Sequence, residues 1–176
     1  RPKVAVLLNV SLDHKSMDEL RALFSDFLGM SDICVVNLDD PEAAALMPEF
    51  TPHVTYGVTN HEAQIGVFAD TIMEGPLSIS ATVIDRRDGY AHPLVLDVPG
   101  RHNLSNALAA IAAACAAGVP VREAVDALST FKGLARRFRR CRRPARSTWS
   151  APARRASRSS TISATTRKSA QPRSPR

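Results

Sequence analysis

The chain has 176 residues, with 23 Lys or Arg against 17 Asp or Glu, a formal net charge of +6. The balance is uneven: residues 1–138 carry 11 basic and 17 acidic side chains (net −6), and residues 139–176 carry 12 basic and none acidic (net +12). The basic total thus excludes nothing about the first 138 residues, which are mildly acidic and long enough for one domain with a real core.

Taken in chain order, Val4–Val10 is a continuous apolar run, as expected of a strand buried on both faces. Leu20, Leu23, Phe24, Phe27 and Leu28 fall at helical spacing, which predicts an amphipathic helix over Ser16–Leu28 with Gly29 as its C-terminal stop. Ile33–Leu38 reads as a second strand, Pro41–Met47 as a short helix opened by Pro, and Val54–Val58 as a third strand. This order predicts a parallel sheet with right-handed crossovers. From Ala63 to Val98 the pattern changes to alternation. Segments 66–73, 77–85 and 92–98, parted by Gly75-Pro76 and Asp88-Gly89, predict an antiparallel meander added to that sheet. Helices follow over Leu104–Ala117 and Val121–Leu128, broken at Gly118-Val119-Pro120. The fold class is α/β.

Cys34, Cys115 and Cys141 are too scattered for a disulfide framework or a Cys-x-x-Cys metal site. Cys34 and Cys115 sit in apolar runs and read as small core residues. No signal peptide or long apolar span is visible, which predicts a cytoplasmic protein with no membrane partner.

The most informative stretch is PGRHNLSNALAAIAAACAAG, Pro99–Gly118. A Pro-Gly turn sets His102, Asn103 and Asn106 directly ahead of an alanine-rich helix. Asn is at home near an N-cap, so one reading is a capped helix packed very closely against its neighbour. The other is that two Asn three residues apart share a face of the first turn and offer paired amides to a planar ligand. Near the start, the polar residues of NVSLDH emerge where a parallel strand ends, the edge at which open α/β sheets place ligands. There His14 beside Asp13 has the chemistry of a divalent-cation ligand. Alternatively, Asp13 or Ser16 caps the next helix and His14 is solvated.

G-R-H-N-x-x-N-A-L-A-A resembles the signature of the Mur ligases, ATP-dependent enzymes that join an amino acid or peptide to a cell-wall precursor. NVSLDH and FKGLARRF match the same family in order, so the resemblance covers residues 1–138. It implies the central ATP-binding domain, a partial P-loop-type parallel sheet. It further implies that His102, Asn103 and Asn106 lie by the adenine and ribose of ATP, and that Arg137 approaches its phosphates. Arg136 stands next to it, and Arg101 either reaches a phosphate or stays in solvent, the default for such a side chain. His14 would help hold Mg²⁺ with Asn9 behind it. The implied partners are the carboxylate of a UDP-sugar and an amino acid or peptide, joined through an acyl phosphate. The branch suggested by the short KGLARRF ending and the Asp-His pair adds L-alanine or a recycled tripeptide to UDP-N-acetylmuramate.

No G-x-x-x-x-G-K-[ST] phosphate loop occurs in the chain. The expectation is a fragment that lacks the phosphate-loop portion and is inactive alone. Residues 139–176 consist largely of Arg, Ser, Ala, Pro and Thr, a composition that predicts a disordered tail. One permissible set of codons for Ser159–Ser169, read in a shifted frame, encodes V-D-D-F-G-H-N-P-E-K. That string matches the D-[YF]-[AG]-H-[NH]-P motif opening the family's C-terminal domain, so a frameshift just after Phe138 is expected. A genuine tail would instead be a basic arm for nucleic acid on a non-catalytic module.

Overall fold

The computed structural model describes residues 1–12 and 15–131, all within one compact unit, Arg1–Arg139. Three parallel strands open it: β1 (Val4–Leu7), β2 (Ile33–Asn37) and β3 (His53–Tyr56), with Val4 opposite Ile33 and Cys34 opposite His53. The first strand is shorter than its apolar run, because Leu8–Val10 leave the sheet as a loop. Helix α1 (Met17–Gly29) begins at Ser16, whose hydroxyl accepts from the Glu19 amide while the Glu19 carboxylate accepts from the Ser16 amide. Helix α2 (Pro41–Ala45) opens on Pro41, as the sequence predicts, but ends two residues sooner than Met47, and Asp40 caps it.

The stop at Gly29 works differently from the expectation. Gly29 is the last helical residue and has no left-handed backbone; Met30 caps the helix in a right-handed conformation. Ser31 closes it instead, with its amide and its hydroxyl both donating to the Leu28 carbonyl, at 3.1 and 2.7 Å. A side chain thus does what a left-handed glycine often does.

The meander is present, but its first segment divides. Strand β4 (Ile65–Val67) runs parallel to β3 and antiparallel to β6 (Ile79–Asp85). A 3₁₀ turn at Ala69–Thr71 then separates it from β5 (Met73–Glu74), which also pairs with β6. The Thr71 hydroxyl accepts the Thr82 amide at 2.8 Å, satisfying a donor that an unbroken strand would have met with a carbonyl. Strand β7 (Ala91–Leu96) takes the other edge of β6, with Pro93 opposite Thr82. Proline lacks the donor of a central strand and suits this edge position.

These directions fix where the next helix starts. β7 is antiparallel to β6, which is antiparallel to β4, so β7 ends on the same edge as β1–β3. Helix α3 (Arg101–Ala116) therefore begins at the carboxyl edge of the parallel strands, three residues earlier than predicted. It packs across β1–β4 and β6, and α4 (Val121–Ser129) packs on it and on β7. Ala107, Ala109 and Ala112 are buried, and their short side chains permit the close approach. Leu104, Leu108 and Ile111 fill the layer between α3 and the sheet, each contributing about 2–3 kcal/mol by burial. On the opposite face, α1 and α2 bury Ala5, Leu7, Cys34 and Val36 under Leu20, Leu28 and Ala43. Strand β2 alternates between the two layers, which explains its unbroken apolar sequence. Cys34 is buried as expected, while Cys115 near the end of α3 is only half-buried.

Candidate functional site at the carboxyl edge

Three loops meet at the carboxyl edge beside the first turn of α3. Their polar side chains bond to one another across the strands. Asn37 at the end of β2 donates through Nδ2 to the Leu8 carbonyl at 2.9 Å and accepts the Asp39 amide at 3.0 Å. The Asp39 carboxylate accepts from the amides of Val58, Thr59 and Asn60 and from the Thr59 hydroxyl, all in the loop after β3. Asp40 accepts the Ala43 amide at 2.8 Å and the Val10 amide at 3.4 Å. Asn9 is exposed between the two bonded residues of the loop after β1.

The first turn of α3 departs from the expected Asn cap. The N-cap is Gly100, with φ of 95° and no side-chain capping bond, so Asn103 and Asn106 lie inside the helix. Asn103 donates to the Pro99 carbonyl at 2.7 Å, bracing the turn rather than accepting a helix amide. One of its two amide protons is therefore engaged, whereas Asn106 is exposed and makes no hydrogen bond among the described residues. The His102 ring folds back over Gly100, where a Cβ would meet its Cε1 at 2.8 Å. Glycine here serves both the positive φ and that contact. Arg101 is exposed, as its solvent default expects, and its Nε donates to the Glu74 carboxylate of β5 at 2.8 Å. His14, Asp13, Arg136, Arg137 and residues 139–176 lie outside the described residues.

A family model described as the Mur ligase middle domain matches residues 1–114. The chain belongs to the Mur ligase family. UDP-N-acetylmuramate–L-alanine ligase of Nitrosospira multiformis is 36% identical over 152 residues, covering 80% of this chain and 30% of that protein. The solved UDP-N-acetylmuramate-alanine ligase of Thermotoga maritima superposes with a TM-score of 0.64 at 27% identity, over 78% of this chain and 31% of that one. A MurF ligase from Thermotoga maritima in complex with ADP shares the fold, with a TM-score of 0.61 at 20% identity over 76% and 31% of the two chains. This Mur ligase chain spans about 30% of the length of the curated relatives it matches.

Reading the Mur ligase signature residues alone misses Asn37, Asp39 and Asp40. Their signal was present: N-x-D-D-P directly follows an apolar strand, at the edge where ligand loops gather. Burial by itself would raise the Asp39 pKa, but the Thr59 hydroxyl and the amides of Val58, Asn60 and Thr59 outweigh it and hold the carboxyl below its usual range. Tyr56, fully buried at the end of β3, is pushed upward by burial and by the charges of Asp39 and Asp40. It is a neutral phenol at any physiological pH. At the opposite end of α3, burial raises the pKa of the Cys115 thiol despite the nearby Arg87 guanidinium. Among the described residues no helix is long and apolar enough to cross a membrane, and no group of three His, Cys, Asp or Glu side chains is placed to hold a metal.

Proposed function

We propose that this chain supplies the adenine-binding part of an ATP-dependent amide ligase acting on a UDP-N-acetylmuramate-type carboxylate. The observation that carries the reading is the free carboxamide of Asn106 on the first turns of a helix that starts at the carboxyl edge of a parallel sheet. A carboxamide offers one donor and one acceptor side by side, the pattern that pairs with N7 and the exocyclic amine of adenine. Asn103 supports Asn106 by holding the Pro99–Gly100 turn, and His102 packs that turn from outside. Family membership supplies the reaction class, and a ligase of the same fold has been solved with ADP.

In the reaction this implies, the substrate carboxylate takes the γ-phosphoryl group of ATP, releasing ADP. The amine of an amino acid or peptide attacks the acyl phosphate, and inorganic phosphate leaves as the amide forms. Arg137 is the cation proposed for the phosphates, its planar fork suited to paired oxygens. Mg²⁺ would neutralise phosphate charge, with His14 as its proposed ligand. Residues 1–138 are proposed as the nucleotide-binding domain and 139–176 as a separate segment.

Calorimetric titration of ADP into the chain tests the reading. Asn106→Ala is expected to weaken ADP at least tenfold, and to leave binding of a nucleotide with a different base unimproved. Equal ADP affinity in wild type and Asn106→Ala would sink the adenine assignment.

A further inference from the structure

The carboxyl-edge network extends beyond what its local turns require. Capping α2 needs only Asp40 and the Ala43 amide, yet Asp40 also takes the Val10 amide, 30 positions away. All four donors to Asp39 come from 19 to 21 residues downstream, and Asn60 returns a bond from Nδ2 to the Leu38 carbonyl at 3.2 Å. Asn37, 8% exposed, joins this assembly to the Leu8 carbonyl on the other side of β2. One continuous chain of bonds thus runs from the loop after β1, through the loop after β2, to the loop after β3.

Packing beneath the network agrees. A Cβ on Gly57 would lie 3.0 Å from Asp39 Oδ1 and 3.3 Å from the Asn60 Cβ, so any other residue here would push the Asp39 and Asn60 side chains aside. The Leu38 amide donates to the Tyr56 carbonyl at 2.9 Å, continuing the β2–β3 pairing into the loops. The Tyr56 hydroxyl is buried with no partner among the described residues.

We propose that Asn37, Asp39 and Asp40 are positioning residues that lock the three carboxyl-edge loops into one rigid rim, against which Asn9 and the first turn of α3 present their side chains to the nucleotide. Loops fixed before binding lose less freedom when the ligand arrives, so the rim raises affinity without touching the base. The functional half of this inference rests on the nucleotide reading above; the mechanical half does not.

Asp39→Asn in the full chain tests it, with backbone amide exchange and ADP affinity measured on the same sample. Asn retains one acceptor but loses the charge that draws four donors together. Exchange at Val58, Thr59 and Asn60 is expected to rise about tenfold or more, and ADP affinity to fall about tenfold. The signature of a linked rim is faster exchange at Val10 as well, across β2, which a purely local turn would not show. Thr59→Val removes one donor only and should move every readout the same way by about threefold, which covers the case that Asp39→Asn fails to fold. Unchanged exchange at Val10 in a folded variant overturns the rim. Faster exchange with full ADP affinity overturns its role in positioning. If the wild-type chain shows no affinity for ADP, the nucleotide reading fails, and the exchange data alone decide whether the rim exists.

Discussion

Asp39 and Asp85 anchor opposite edges of the same sheet, and the two carboxylates are satisfied in different ways. Asp85, 2% exposed, is held by Arg87 two residues away, with contacts of 2.8 and 2.6 Å that close the turn between β6 and β7. Burial would raise its pKa, but the Arg87 hydrogen bonds and charge, with His92 adding to them, hold it below the usual range. Among the described residues Asp39 faces no cation within bonding distance and is satisfied by neutral donors from a distant loop. The first arrangement closes a hairpin through a partner two residues away, with Arg87 lying also beside Cys115 of α3. The second makes one loop's geometry depend on another's, which is what a ligand-facing edge needs.

Several changes sharpen or break this contrast. The largest effect is expected from Leu108→Ala, in the layer shared by both halves of the sheet, at about 3–4 kcal/mol by denaturant titration. A single transition shows that the parallel and antiparallel halves unfold together, whereas a hairpin that keeps its exchange protection would show them independent. Gly100→Ala forces a side chain into a positive-φ backbone and against the His102 ring, and is expected to destabilise by about 1–3 kcal/mol. It should also weaken ADP, since the first turn of α3 must shift.

Asp85→Asn is expected to cost about 1–2 kcal/mol, because Arg87 is 40% exposed and partly solvated, and to leave ADP affinity unchanged. Loss of ADP affinity in that variant would erase the distinction between the two edges. Both carboxylates have folded-state pKa values below their unfolded ones, so the unfolded chain takes up protons first as pH falls. The stability they add is complete above the ordinary carboxylate range and is lost as pH drops through the lowered folded values. Melting temperatures from about pH 6 to about pH 3 should fall steeply in wild type and less steeply in Asp85→Asn. The smallest effect is expected from Ser16→Ala, about 1 kcal/mol from the lost cap of α1, with no change at the carboxyl edge.

Much of the fold was legible because it rests on short-range chemistry. The run from Ile33 shows a strand buried on both faces, Ser16 and Glu19 form a capping box three residues apart, and Asp40-Pro41 opens a helix. The division of the meander was not legible, since it depends on Thr71 meeting the Thr82 amide across the sheet. The start of α3 was misplaced because Asn reads as a cap. In the structure Gly100 takes the positive-φ cap position, and Asn103 turns back to Pro99.

By itself the sequence determined the family, the order of strands and helices, and the segment that faces the carboxyl edge. Those follow from periodicity, turn chemistry and a signature read within a few residues of itself. Only the tertiary structure decided that Asn103 turns one amide proton to Pro99, that Arg101 is tied to Glu74, and that Asn37, Asp39 and Asp40 bind three loops together. Each of these depends on a backbone group or side chain that parallel pairing or helix packing brings near. A carboxylate's partners twenty residues away leave no mark on the residues beside it.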